Sequence, residues 1–195
     1  MKVIGITGPS GAGKTSVSEE LRMCGAYIID ADLISRQITK KGEKAYKEII
    51  DVFGEEVLSE TREINRRVLG EIVFNCPEKL ELLERITHKH IFEKMTKMLN
   101  EADAEVVVLD VPLLFQCDFP IQCDLTVSVI ADIDVRIKRV MKRDGITKKE
   151  AEARIKNQLP NSEYERLSDV CFFNSEDMEE VKSFAKDLYN LVLNK

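Results

Sequence analysis

No stretch of the 195-residue chain is apolar for anything near the ~20 residues a membrane-spanning helix needs. Its unbroken apolar runs, such as 106–109, are strand-sized. No signal peptide is expected: only Lys2 is basic ahead of the short apolar start, and glycines interrupt that start at once. The five cysteines (Cys24, Cys76, Cys117, Cys123 and Cys171) contain no CxxC pair. Zinc and thioredoxin-type chemistry therefore lack support, and the default is reduced thiols in a cytoplasmic protein. Internal repeats and low-complexity linkers are absent. A net charge of −6 argues against an overall nucleic-acid footprint. No nucleic-acid or membrane partner is expected, and composition leaves the oligomeric state open.

What is present is globular: 44% hydrophobic and 33% charged residues, enough to bury roughly 70% of the unfolded surface in one domain spanning 1–195. Short apolar runs alternate with amphipathic ones. Val3-Ile4-Gly5-Ile6, Tyr27-Ile28-Ile29, residues 106–109, 125–130 and 170–173 read as five strands. Being continuous rather than alternating, they suit a parallel sheet covered on both faces. Residues 16–23 read as a helix stopped by Gly25, and the tail from Met178 as a closing amphipathic helix. The long gap between the second and third strands reads helical, and 61–100 is expected to be a helical insertion that binds substrate. Residues 145–164 are polar and read as an irregular, mobile flap; a lid is assigned to 145–165.

Gly8-Pro9-Ser10-Gly11-Ala12-Gly13-Lys14-Thr15 fits the phosphate-loop pattern GxxxxGK(S/T), with a strand before it and a helix after it. Glycines permit the tight turn that aims backbone N–H groups at phosphate oxygens. Lys14 is expected on the β- and γ-phosphates and the Thr15 hydroxyl on Mg²⁺. The pattern implies ATP or GTP with Mg²⁺. An Asn-Lys-x-Asp guanine reader is missing, and Asp51-Val52-Phe53-Gly54 resembles a GTPase DxxG in letters only.

Asp30-Ala31-Asp32 follows the second strand, at the sheet edge that faces ligands in such folds. Asp32 reads either as a carboxylate for an acceptor hydroxyl or as a helix cap. Asp110, after the third strand, reads as a holder of Mg²⁺ or its waters, or as an ordinary strand-end carboxylate. Arg136, Arg139 and Arg143 share one helix face, which suits either a bound anion or a solvated surface. His88 and His90 make a poor metal pair without a nearby cysteine; substrate binding or surface placement is expected instead. Asn65-Arg66-Arg67 offers a further anion contact.

Together these pieces resemble one family, the dephospho-coenzyme A kinases. The resemblance runs nearly end to end, through Ile29-Asp30-Ala31-Asp32, Ile64-Asn65-Arg66-Arg67-Val68-Leu69, Ile86-Thr87-His88, Asp110-Val111-Pro112-Leu113-Leu114-Phe115, residues 139–145, 154–158, and Ser168-Asp169-Val170 with Asn174. It implies a P-loop NTPase fold, three layers α/β/α around a five-stranded parallel sheet, with a coenzyme-binding region and a lid. It implies ATP-dependent phosphorylation of the ribose 3′-hydroxyl of dephospho-CoA, the last step of coenzyme A synthesis. Asp32, Lys14 and Arg139 would be catalytic. Gly8, Gly11, Ala12, Gly13, Lys14, Thr15, Ser16, Arg139, Arg143 and Asn174 would bind the nucleotide, Arg66 and His88 the acceptor, and Thr15 and Asp110 the metal. The chain departs from the family at Pro9 (usually Gly), Lys89 (Pro), Tyr164 (Lys) and Cys171-Phe172-Phe173 (Val-Ile-Asp). Another P-loop kinase acting on a nucleoside-like or sugar-like acceptor, or a nucleotide-dependent switch, are the alternatives.

Overall fold

The structure is a computed structural model, and it describes residues 1–194. In chain order the elements are β1 (Lys2–Thr7), α1 (Lys14–Met23), β2 (Tyr27–Asp30), α2 (Ala31–Ile38), α3 (Lys44–Phe53), α4 (Arg66–Phe74), α5 (Pro77–Glu101), β3 (Val106–Asp110), β4 (Leu125–Ile130), α6 (Ile133–Asp144), α7 (Lys148–Lys156), α8 (Asn161–Leu167), β5 (Val170–Phe173) and α9 (Met178–Leu193). The described residues divide into two compact units, residues 1–30 with 101–194, and residues 31–100.

The first unit is built on the five expected strands, all parallel, in the order β2-β3-β1-β4-β5. β-Branched residues fill the central strands and are buried on both faces, the mark of a parallel sheet. On one face Ile4, Ile6, Val106, Val108, Val127 and Val129 pack against Val17 and Leu21 of α1 and Val181, Ala185, Leu188 and Val192 of α9. On the other face Gly5 lies directly under Leu114 and Cys123, where a β-carbon would come within 2.8 Å of the Cys123 sulfur. Burial pushes that thiol up to about 11, helped by Asp124 and Asp169, so it is a protonated packing group at neutral pH. The edge strands are less covered: Tyr27, Cys171 and Phe173 are exposed.

The stretch expected to be an irregular flap is helical. Thr147 caps α7, its hydroxyl accepting from the Glu150 N–H while the Glu150 carboxylate accepts from the Thr147 N–H at 2.8 Å. Ala151 and Ile155, one turn apart, pack on Ile137 and Val140 of α6. Two apolar side chains and a capping box suffice to make a helix whose other residues are Lys, Glu, Arg154 and Ala153.

The second unit is a helical cluster. Ile49 and Phe53 of α3, Leu69 and Val73 of α4, and Ile86 of α5 form its core with Val57. Asn65 caps α4, accepting from the N–H groups of Arg67 and Val68 at 3.2 Å each. The segment expected as an insertion, 61–100, makes up the later part of this unit, which begins at Ala31.

Candidate functional site

Strand ends define the site. The register sets Asp30 and Ile6 opposite Asp110 on either side of β3, so two carboxylates lie side by side where the parallel strands terminate. The loop between β1 and α1 begins one residue beyond Thr7. Gly8, Gly11 and Gly13 have φ of 143°, 81° and 97°. Each also faces a wall: a β-carbon would lie 2.0 Å from the Val129 carbonyl oxygen at Gly8, 2.7 Å from that of Arg136 at Gly11, and 2.1 Å from Asn174 Nδ2 at Gly13. Gly13→Ala therefore combines positive φ with a clash on a buried side chain. We expect it to cost about 2 kcal/mol or more, seen as a lowered denaturation midpoint with weakened nucleotide binding.

The loop's carbonyls are held from outside. The Ser10 carbonyl accepts from Arg136 Nε at 3.1 Å. The Gly11 carbonyl accepts from Arg139 Nη1 at 3.0 Å. The Ala12 carbonyl accepts from Arg139 Nη1 at 3.1 Å and Asn174 Nδ2 at 2.8 Å. In a trans peptide the carbonyl and the following N–H point in opposite directions. Anchoring the Ser10 and Ala12 carbonyls outward thus turns the Gly11 and Gly13 N–H groups inward. These, and the N–H groups of Lys14 and Thr15 in the first turn of α1, have no acceptor among the described residues. Several converging N–H donors at a helix N-terminus make a site for a polyanion. Lys14 is half-buried at that turn, and Thr15 and Ser16 follow it on the helix.

Asp110 Oδ2 accepts from the Ser18 hydroxyl at 3.1 Å. Ser18 lies one helical turn beyond Thr15, so Asp110 is held alongside the start of α1. A hydroxyl and a carboxylate are hard oxygen donors, the chemistry Mg²⁺ selects. Among the described residues there is no cluster of three or more His, Cys, Asp or Glu that could hold a metal on side chains alone. That is compatible with a cation bound chiefly by phosphates and water.

Asp32 is the second residue of α2, exposed and in the first turn rather than at the cap position, so the capping alternative does not describe it. Its negative charge suits that helix end, and its carboxylate faces solvent.

The three arginines of α6 separate. Arg136 is 4% exposed and tied to Ser10 and Gln158. Arg139 is about a quarter exposed; beyond its two carbonyl contacts its Nη2 lies 3.4 Å from the Glu176 carboxylate. Arg143 reaches the Ser10 hydroxyl at 3.1 Å and pairs with Asp144, which Arg154 also contacts. The bonds from Arg143, then the added charge of Arg154, hold the Asp144 carboxyl below its ordinary range. Asn174 is 4% exposed, and both its polar ends are bonded within the protein, to the Ala12 carbonyl and from the Glu176 N–H.

In the second unit Arg66 is exposed at the start of α4, its Nη2 3.3 Å from the Thr39 hydroxyl. It borders a cavity of about 310 Å³ floored by Ile49, Leu69 and Val73. Phe74, 79% exposed, lies at the rim with its ring over Gly70. His88 stacks on Phe92 with centroids 5.5 Å apart. His90, which the sequence did not distinguish from it, is buried between Glu48 at 2.9 Å and Glu93 at 3.5 Å. Its place in the helix pattern, four residues after buried Ile86, was the available signal.

Comparison with known proteins follows the same outline. The family model described as dephospho-CoA kinase matches residues 2–180. The dephospho-CoA kinase of Lactobacillus johnsonii is 37% identical over 188 residues, covering 95% of each chain. The crystal structure of TT1252 from Thermus thermophilus superposes with a TM-score of 0.86 at 29% identity, over 98% of this chain and 97% of that one. Dephospho-CoA kinase from Campylobacter jejuni shares the fold, with a TM-score of 0.69 at 24% identity over 100% of this chain and 98% of its own. The loop, the Asp-Ala-Asp turn and the α6 arginines all fall inside the family match, and the chain belongs to the dephospho-CoA kinase family.

Proposed function

We propose that this chain carries out the phosphorylation of dephospho-CoA that its family membership assigns, with ATP as donor, Mg²⁺ as cofactor and the ribose 3′-hydroxyl as acceptor. The observation that carries the reading is the phosphate loop with its inward N–H groups, in a chain that also presents an uncommitted carboxylate two residues past β2. Lys14 and the loop amides bind the β- and γ-phosphates, and Arg139 supplies charge as the phosphoryl group moves. Thr15 and Asp110 would hold Mg²⁺, which neutralises the triphosphate when bound. Asp32 accepts the proton of the attacking hydroxyl as the new oxygen–phosphorus bond forms and the bond to ADP breaks. The acceptor carries a diphosphate and a long amphipathic arm. Arg66 beside a cavity with an apolar floor supports that choice, with His88 in the same unit. The five free cysteines support a reducing, cytoplasmic setting. No helix among the described residues is long and apolar enough to cross a membrane.

The test is incubation of the protein with ATP, Mg²⁺ and dephospho-CoA, with product identified by mass spectrometry. A single added phosphoryl group at the 3′ position, with one ADP per CoA, is expected. Phosphorylation of other nucleosides or sugars at comparable rates, with dephospho-CoA left intact, would overturn the acceptor assignment.

A further inference from the structure

Ser10 is gripped at three points. Its N–H donates to Gln158 Oε1 at 3.1 Å, its carbonyl accepts from Arg136 Nε at 3.1 Å, and its hydroxyl accepts from Arg143 Nη2 at 3.1 Å. Arg136 Nη2 also donates to Gln158 Oε1 at 2.8 Å. The Ser10 backbone, Arg136 and Gln158 thus form a closed ring of hydrogen bonds behind the phosphate loop. The α6 backbone presses on the loop at the same place, since a β-carbon on Gly11 would lie 3.0 Å from Arg136 Cα.

We propose that Arg136 and Gln158 are positioning residues for the nucleotide, a clamp that fixes the Ser10–Gly11 peptide so that the Gly11 N–H faces the phosphates.

Two observations argue for a functional clamp beyond simple packing. First, Arg136 is buried but has no carboxylate partner among the described residues. Buried charges are normally paired. Burial lowers this group's pKa, and the nearby Tyr164 phenol acts in the opposite direction. Its positive charge is directed at the loop, where a bound polyphosphate would be the counter-charge. Second, Gln158 lies in the link between α7 and α8. One side-chain oxygen therefore joins the stretch assigned as the lid to the middle of the phosphate loop. Losing it removes the hold on the Ser10 N–H and unseats Arg136 Nη2, which loosens the Arg136 bond to the Ser10 carbonyl that fixes the Ser10–Gly11 peptide.

The clamp rests on nucleotide binding at this loop, so the experiment reads ATP affinity directly. ATP titration calorimetry is run on wild type, Gln158→Met, Arg136→Lys and the double variant, beside steady-state CoA formation and thermal melts. Gln158→Met keeps length but removes the acceptor; a rise in ATP Kd and KM on the order of tenfold is expected, with KM for dephospho-CoA within about twofold. Arg136→Lys keeps the charge but loses the fork, and the same direction is expected. The double variant should be little worse than the weaker single one, because the ring is already broken. ATP affinity within about twofold of wild type in Gln158→Met, with only the melt lowered, would overturn the clamp; so would equal rises in both KM values. Gln158→Met decides alone if Arg136→Lys does not fold. Wild type that binds ATP but makes no CoA would sink the acceptor assignment while the affinities still judge the clamp. Wild type that fails to bind ATP would sink both.

Discussion

Asp32→Asn is expected to leave nucleotide binding intact and to drop turnover by on the order of 10³-fold. The substitution is nearly isosteric, so the first turn of α2 keeps its shape. The side chain is exposed, and no part of either hydrophobic core leans on it. What changes is chemistry: an amide cannot take up the proton of the acceptor hydroxyl. The helix end also loses a favourable charge, worth about 0.3–1 kcal/mol, too little to unfold the unit. The expected signature is an unchanged ATP Kd by calorimetry and a melt lowered by at most about 4 °C, with kcat for CoA formation nearly abolished. Asp32→Glu should recover only part of the loss, because the longer chain moves the carboxylate by about one bond length. Turnover within tenfold of wild type in Asp32→Asn would remove Asp32 from the chemistry and turn attention to Asp30, which ends β2 next to Asp110 in the sheet register.

The parts of the molecule that could be read from sequence are those where a local pattern has one physical solution. Runs such as Val106-Val107-Val108-Leu109 fit a buried parallel strand, and β3 spans Val106–Asp110. The glycines of the phosphate loop announce positive φ, which Gly8, Gly11 and Gly13 adopt. Other features depend on which element packs over which. Arg136, Arg139 and Arg143 share a helix face by spacing, yet α6 is covered around its middle, at Arg136, Ile137 and Val140, and bare at its last turn. One stripe therefore yields a buried clamp, a cation about a quarter exposed and a surface residue. The family resemblance implies a nucleotide contact for Asn174. The loop from the far end of the chain takes its donor, which no local pattern could reveal. The polar stretch at 145–164 misled because composition outweighed the Thr147-x-x-Glu150 capping signal that was in plain view.

Replacing Arg139 by alanine should lower kcat/KM for ATP by about 10³-fold or more, the range seen when a phosphoryl-transfer arginine is removed. The geometry gives two reasons. Arg139 Nη1 bridges the Gly11 and Ala12 carbonyls at 3.0 and 3.1 Å, so its loss loosens the loop. Among the described residues its Nη2 meets only the exposed Glu176 carboxylate, at 3.4 Å, a pair of little net value in water. That donor can leave Glu176 for the triphosphate at small cost and gain a stronger, charge-assisted bond there. Arg139→Lys separates the two roles. A lysine restores a positive charge but cannot bond both carbonyls and still present a second donor to phosphate. It should recover about tenfold of the loss at most. Glu176→Gln should be nearly silent, within about threefold in kcat, since it removes only a screened surface charge. A Glu176 variant as damaged as Arg139→Ala, or an Arg139→Lys enzyme at full activity, would mean that charge near the loop suffices. The fork geometry at Arg139 would then have no part in catalysis.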